Sequence, residues 1–327
     1  MKQPTSGFAR VTLTAALLAA STAWTGIALA QEYPAKPITI VVPFPVGSAI
    51  DNLLRPISLE LQKSLGQPVI IDNKPGAQGV LGSQSVAQAQ PDGYTLLAGS
   101  STTLAANVTL FKNLSYDPIK DFTPIANLGY VSLMYLVRAD SPASDLKAYV
   151  DQARKAGAPS AAAYGSSSAQ IALAMLSTAA KVDFTPVPYK GTPQAITDLI
   201  GGTVPMAVVD IGNGMPHIKS GRARALATTA PERSAATPDI PVLAETYPGA
   251  QLVTWIGLVA PAGTPAPVVD KIHAALAPIL SGADMKEKFA SVSTEVDLLG
   301  PAQFAERLRV DQERWAKLIR ASGIEPQ

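Results

Sequence analysis

One feature constrains this chain more than any other. Short runs of β-branched and aliphatic residues, each ended by Gly, Pro or Ser, alternate with amphipathic stretches of helical length. Ile38-Thr39-Ile40-Val41-Val42 is such a run, the mark of a strand buried on both faces. Pro43-Phe44-Pro45 ends it, and a loop with Gly47 and Ser48 follows. Asp51 then opens an amphipathic stretch over residues 51–65, closed by Gly66, the residue type that ends helices in a left-handed turn. Pro56 falls past the first turn of that helix, where its missing N–H predicts a distortion. A second strand follows over 69–71, a helix of small residues over about 79–89, and a third strand over 94–98 after the turn at Asp92-Gly93. Strand, helix, strand, helix, strand predicts an α/β fold with a parallel sheet covered by helices on both faces.

The pattern then restarts. Helices are predicted over 145–155, 169–180, 193–200 and 215–220, with strands over 161–164, 187–189, 205–210 and 224–228. A strand over 253–259 leads to two last helices, over about 265–280 and 301–321. Two α/β units are expected, and 327 residues suffice for them. With 47% apolar and 16% charged residues, the chain is far from the composition of a disordered one.

The first thirty residues read as an export signal. Lys2 and Arg10 form a basic start with no acid beside them, residues 11–20 are apolar, and Ala28-Leu29-Ala30 sets cleavage before Gln31. The apolar stretch is broken by Thr and Ser and is shorter than the ~20 residues a membrane span needs. Removing it leaves 24 of the 26 basic residues against 25 acids, a net charge of −1. That near-neutral balance gives no electrostatic footprint for nucleic acid. The chain has no cysteine, which excludes disulfides, thiolate metal sites, a cysteine nucleophile and an N-terminal lipid anchor. A soluble periplasmic protein is the expectation.

Open parallel sheets bind ligands beyond the C-terminal ends of their strands, where loops lead into helix N-termini. Unpaired N–H groups and a partial positive charge make those ends suited to anions. Four loops fit. The first, over 43–51, offers Phe44, Gly47, Ser48, Ala49 and Asp51; the second offers Ser100, Ser101, Thr102 and Thr103. The third, after Gly165, offers Ser166, Ser167 and Ser168; the fourth offers Lys190 and Thr192 around Gly191. Such hydroxyl-rich loops match carboxylate recognition with few permanent charges. Asp210 ends an apolar strand and either faces a ligand or caps the next turn; Lys190 either pairs with a ligand carboxylate or is a solvated loop residue. Trp255 is expected in the core.

Other chemistries are poorly supplied. The glycines of Gly76-Ala77-Gln78-Gly79-Val80-Leu81-Gly82 are spaced G-x-x-G-x-x-G, not the dinucleotide spacing, and Lys190-Gly191-Thr192 lacks the order of a phosphate loop. A serine hydrolase needs a base, and His217 and His273 are the only histidines. No G-x-S-x-G elbow is present. No enzyme activity, metal or cofactor is expected.

A run of motifs resembles one family closely. Tyr33-Pro34-Ala35-Lys36-Pro37-Ile38 leads to Val41-Val42-Pro43-Phe44, then Asn73-Lys74-Pro75-Gly76-Ala77 and Pro91-Asp92-Gly93-Tyr94-Thr95-Leu96-Leu97. Later come Tyr116-Asp117-Pro118, Pro188-Tyr189-Lys190-Gly191, Asp198-Leu199-Ile200-Gly201-Gly202, Pro216-His217-Ile218-Lys219-Ser220-Gly221 and 258–265. Over about residues 33–324 the chain resembles the Bug family, the TctC-like solute-binding proteins of tripartite tricarboxylate transporters.

The resemblance implies a two-lobed periplasmic binding protein of type II. One lobe would comprise 31–131 plus 253–327 and the other 132–252, with crossings near 131–138 and 252–260. It implies capture of a small organic acid, a di- or tricarboxylate or an aromatic acid, by closure of the lobes. Loops 44–51 and 100–103 would bind from one lobe, and 166–170, Thr192 and Asp210 from the other. The acid would pass to the membrane permease subunits of a tripartite carrier, and the binding protein would be a monomer. A ligand-presenting sensor component and a periplasmic enzyme are the alternatives. The first loop has fewer glycines than the family's, and Gln170 stands where the family's second lobe carries a His.

Overall fold

Ile38–Val42 form β1, whose side chains are almost wholly buried on both faces, as five β-branched residues require. The molecule is a computed structural model describing residues 33–234, 237–291 and 294–327. The export signal expected over residues 1–30 lies outside the described residues. Met1–Ala35 and Lys36–Gln327 are separate units, and the larger one carries the fold.

β1 pairs in parallel with β2 (Val69–Asn73) and β3 (Thr95–Ser100). β3 then pairs antiparallel with β9 (Val253–Pro261), which pairs antiparallel with β4 (Phe122–Arg138), and β10 (Thr294–Leu299) borders β4. In the second sheet, β5 (Ser160–Tyr164) is parallel to β6 (Phe184–Pro188) and β7 (Met206–Asp210). β4 joins that sheet antiparallel to β7 and to β8 (Ala223–Thr228). The expected parallel cores are present, but both sheets are mixed. Local periodicity marks the β-α-β crossovers; it carries no sign of how a distant strand returns.

β4 links the sheets. Its residues 122–132 pair with β9, and 133–138 pair with β7 and β8. At the changeover Thr229 ties three segments together. Its N–H donates to the Leu133 carbonyl at 2.8 Å and its hydroxyl to the Leu252 carbonyl at 2.6 Å, while Leu133 N–H donates to that hydroxyl at 3.0 Å. The arrangement is α/β and two-lobed, with β4 passing from one sheet to the other.

The helices are α1 (Ala49–Leu65), α2 (Val80–Ala87), α3 (Asn107–Leu110), α4 (Leu146–Lys155), α5 (Ser167–Ala180) and α6 (Thr192–Ile200). They continue with α7 (Ile211–Lys219), α8 (Leu243–Thr246), α9 (Ala266–Ser281), α10 (Ala283–Ser291) and α11 (Pro301–Ala321). α1 starts two residues before the expected Asp51, because Ser48 is its N-cap and accepts the Asp51 N–H at 3.4 Å. Gly66 closes it at φ 70°, as expected. The helix runs unbroken through Pro56. Burial of Ile50, Leu53, Leu54, Ile57 and Leu61 on one face outweighs the roughly 3 kcal/mol an interior proline costs.

Candidate functional site

Four helices point their N-termini into one cavity between the sheets. Ser48, Ala49 and Ile50 open α1, Ser166 and Ser168 open α5, Thr192 opens α6, and Asp210 precedes α7; all line the cavity. Each follows the C-terminal end of a strand, where the right-handed crossover turns the chain back over its sheet. Ser100, Ser101 and Thr102 line it at the end of β3, where the chain turns into a π-helical segment, Thr102–Ala106, buried throughout. Phe44, Val131, Gly165, Thr254, Trp255 and Ile256 complete the wall. The cavity is about 40 Å³, against roughly 10–15 Å³ for one water on the same measure.

No Lys, Arg or His is among the lining residues, and Asp210 is the one ionisable group. Burial pushes the Asp210 carboxyl above its ordinary value, although the Thr192 hydroxyl donates to it at 2.9 Å and its own backbone N–H helps to hold the charge. The Oγ atoms of Ser100 and Ser101 are buried and have no hydrogen-bond partner. Ser48 and Ser166 each accept one backbone N–H, from Asp51 and Ala169, which leaves their hydroxyl protons free to donate. The site therefore presents hydroxyl donors, first-turn amides and the positive ends of helix dipoles, about half a charge each, to whatever enters.

Phe44, Ser48, Ala49, Ser100, Ser101, Thr102, Ser166, Ser168, Thr192 and Asp210 are thus brought together. The other expected residues stand behind the wall or outside it. Asp51 is fully buried and committed. It accepts from Gly47 N–H at 2.9 Å, from Asn73 at 3.0 Å and from two Arg55 nitrogens at 2.9 Å. Burial raises its pKa, but Arg55, Gly47 and Asn73 together hold it below the usual carboxylate value. It positions the first loop and does not line the cavity.

Gly47 is likewise occupied, its N–H by Asp51 and its carbonyl by Asn213 at 2.6 Å. The Thr103 hydroxyl caps the Ser100 N–H at 3.1 Å, and the Ser167 hydroxyl donates to Asn107 at 2.7 Å. Gln170 sits a turn into α5, away from the lining. Lys190 is exposed and outside it, as a solvated loop lysine is, and of this loop Thr192 is the residue that lines the cavity.

Trp255 corrects its expectation in part. It is buried, as predicted, yet it also faces the cavity. Behind the wall its indole N–H donates to Asp311 at 2.5 Å, and its ring meets Phe304 edge-on at 5.4 Å. Val131, Thr254 and Ile256 were not foreseen as lining. They lie on β4 and β9, whose apolar pattern reads only as core; the hydroxyl of Thr254 is the one polar signal there, and it donates to Val131 O at 2.6 Å. His217 and His273 lie outside the lining.

Known proteins share this architecture. The family model described as tripartite tricarboxylate transporter family receptor matches residues 53–324. Protein BugT of Bordetella pertussis is 32% identical over 300 residues, covering 90% of this chain and 91% of BugT. The solved structure of MatC from Rhodopseudomonas palustris with bound malate superposes at TM-score 0.83 and 34% identity, covering 88% of this chain and 100% of MatC. A further R. palustris structure, with adipate, gives TM-score 0.88 at 28% identity, covering 90% and 100%. The fold is that of the two-lobed type II periplasmic binding proteins, and the chain belongs to the tripartite tricarboxylate transporter receptor (TctC, Bug) family.

Proposed function

We propose that this protein captures a small organic acid between its lobes and hands it to the permease subunits of a tripartite carrier. The observation that carries the reading is a cavity without a formal cation whose wall holds the unpartnered hydroxyls of Ser100 and Ser101 and the first turns of α1 and α5. Donors without partners in a buried wall cost free energy unless a ligand completes them. A carboxylate supplies up to four acceptor sites and gains from each helix dipole.

The environment of Asp210 fits the same reading, since burial shifts its carboxyl toward the protonated form. A protonated carboxyl donates to an anion, whereas an ionised one would repel it. The relatives solved with malate and with adipate support an aliphatic acid, and a cavity of about 40 Å³ favours a compact one over an aromatic acid. Capture needs closure, since on this reading Ser48, Ser100, Ser101 and Thr102 stand on one lobe and Ser166, Ser168, Thr192 and Asp210 on the other. On this reading the lobes are 31–131 with 253–327, and 132–252, and residues 1–30 direct export to the periplasm. Among the described residues no helix is long and apolar enough to cross a membrane. The closed monomer, with its ligand unchanged, is what the permease receives.

The test is a thermal-shift and calorimetric screen of malate, adipate, longer dicarboxylates, citrate and benzoate, with the matched amides as controls. Saturation at about 100 times Kd adds about 2.7 kcal/mol. Stabilisation by an acid and none by its amide supports the reading; no stabilisation by any acid overturns it.

A further inference from the structure

Outside the cavity, contacts among the described residues join the lobes directly. The Asn213 side chain, on α7, donates to the Gly47 carbonyl at 2.6 Å, and Gly47 takes a φ of +80° to present it. The Ser167 hydroxyl, at the start of α5, donates to Asn107 of α3 at 2.7 Å, with both residues fully buried. Between β6 and α6, Gly191 packs so closely on Pro45 that a Cβ there would lie 2.7 Å from the proline ring. Neither Asn213, Ser167, Asn107, Gly191 nor Pro45 lines the cavity.

We infer that Asn213 and the Ser167–Asn107 pair are closure latches, positioning residues that populate the closed form before ligand enters and set how long ligand is held. The inference rests on the capture-by-closure reading. The Asn213 amide and the Ser167 hydroxyl make their hydrogen bonds across the cleft, while the Gly47 carbonyl also accepts from Asn52 of its own lobe at 3.1 Å. Asn107 turns its amide N–H₂ to Gln78 O of its own lobe at 3.1 Å and offers its oxygen across the cleft to Ser167. The pairs flank the cavity at the first loop and at the end of β3, so both must form for the wall to close. Apparent affinity scales with the fraction of molecules already competent to bind, so a latch raises affinity without touching the ligand.

Gly191 supplies an independent handle. Its φ is 179°, extended backbone that alanine adopts freely, and the closest atoms its methyl would meet belong to Pro45 of the other lobe. Gly191→Ala therefore acts as a wedge against closure and leaves lobe packing alone.

The chain has no cysteine, so Lys63→Cys on α1 and Lys147→Cys on α4, whose side chains are 70% and 77% exposed, take spin labels alone. Electron–electron distance measurements on the ligand-free protein then report the closed and open populations. The wild-type background should show a short-distance population. Asn213→Ala and Ser167→Ala should each lower its ratio to the long one by roughly two- to tenfold, and Gly191→Ala should nearly abolish it. Absence of the short population in the wild type, or the same ratio in all variants, overturns the inference. Because no ligand is present, the outcome is separate from whether an acid binds; a latch variant that fails to fold leaves Gly191→Ala to decide.

Discussion

The indole N–H of Trp255 donates to the Asp311 carboxylate at 2.5 Å, so the wall of the cavity is anchored to the last helix of the chain. Both groups are buried, and a hydrogen bond to a charged acceptor contributes about 1.5–3 kcal/mol. Asp311→Ala leaves the indole N–H without its partner. It should lower stability by about 2 kcal/mol in urea denaturation and alter the fluorescence of Trp255. A wild-type unfolding midpoint in that variant would mean that the indole is held by Phe304 and its neighbours alone.

Asp51 holds the loop after β1 from behind, and its behaviour with pH follows from its partners. Its pKa is held below the unfolded value of about 3.8, so the stability it contributes is present above that pH and is lost as pH falls through the lower, folded value. Asp51→Asn removes the pairing with the half-exposed Arg55 and should cost about 1–3 kcal/mol at pH 7. Its stability should also decline less steeply than the wild type's below pH 4. Parallel acid-unfolding curves for the two proteins would exclude Asp51 as a source of the acid sensitivity.

How much of this was legible in the sequence depends on how locally each element is determined. β1, α1, β2 and β3 follow from β-branched runs, from the periodicity of Leu53, Leu54, Ile57 and Leu61, and from Gly66, all within a few residues of one another. β4 was missed except at its crossing end, since Pro124 and Gly129 interrupt its 17 residues and long-range pairing with β9 and β7 holds it extended. The hydroxyl-rich loops were readable as helix N-termini, which is why ten expected residues meet at the cavity. Hydroxyl chemistry alone does not tell a donor aimed at ligand from one spent on scaffold. Thr103 and Ser167 read like Ser101, and only the fold commits them to Ser100 and Asn107.

Asp210 shows the opposite sign to Asp51. Burial raises its pKa above the unfolded value, so the folded state holds the proton more tightly. The associated stability is fully present below the unfolded pKa and is lost as pH rises through the folded one. Asp210→Asn should therefore be more stable than the wild type at pH 8, with the difference shrinking toward pH 4. Affinity for an acid anion such as malate should fall in the wild type as pH rises through the Asp210 pKa and stay flat in the variant. Calorimetric titrations at several pH values read both curves, and equal slopes would remove Asp210 from contact with the bound anion.

Ser100 and Ser101 separate affinity from stability. Their hydroxyls are buried without partners in the wall, so each imposes a desolvation cost on the folded chain that a ligand acceptor would recover. Ser101→Ala removes that cost. The variant should unfold at the same or a higher urea concentration than the wild type, yet bind the acid more weakly by about 0.5–1.5 kcal/mol. Most core truncations lower both quantities together, because they leave a cavity behind. Opposite movement of the two is the signature of a donor kept for a ligand; a loss of stability with no loss of affinity would mark Ser101 as part of the packing at the end of β3 instead.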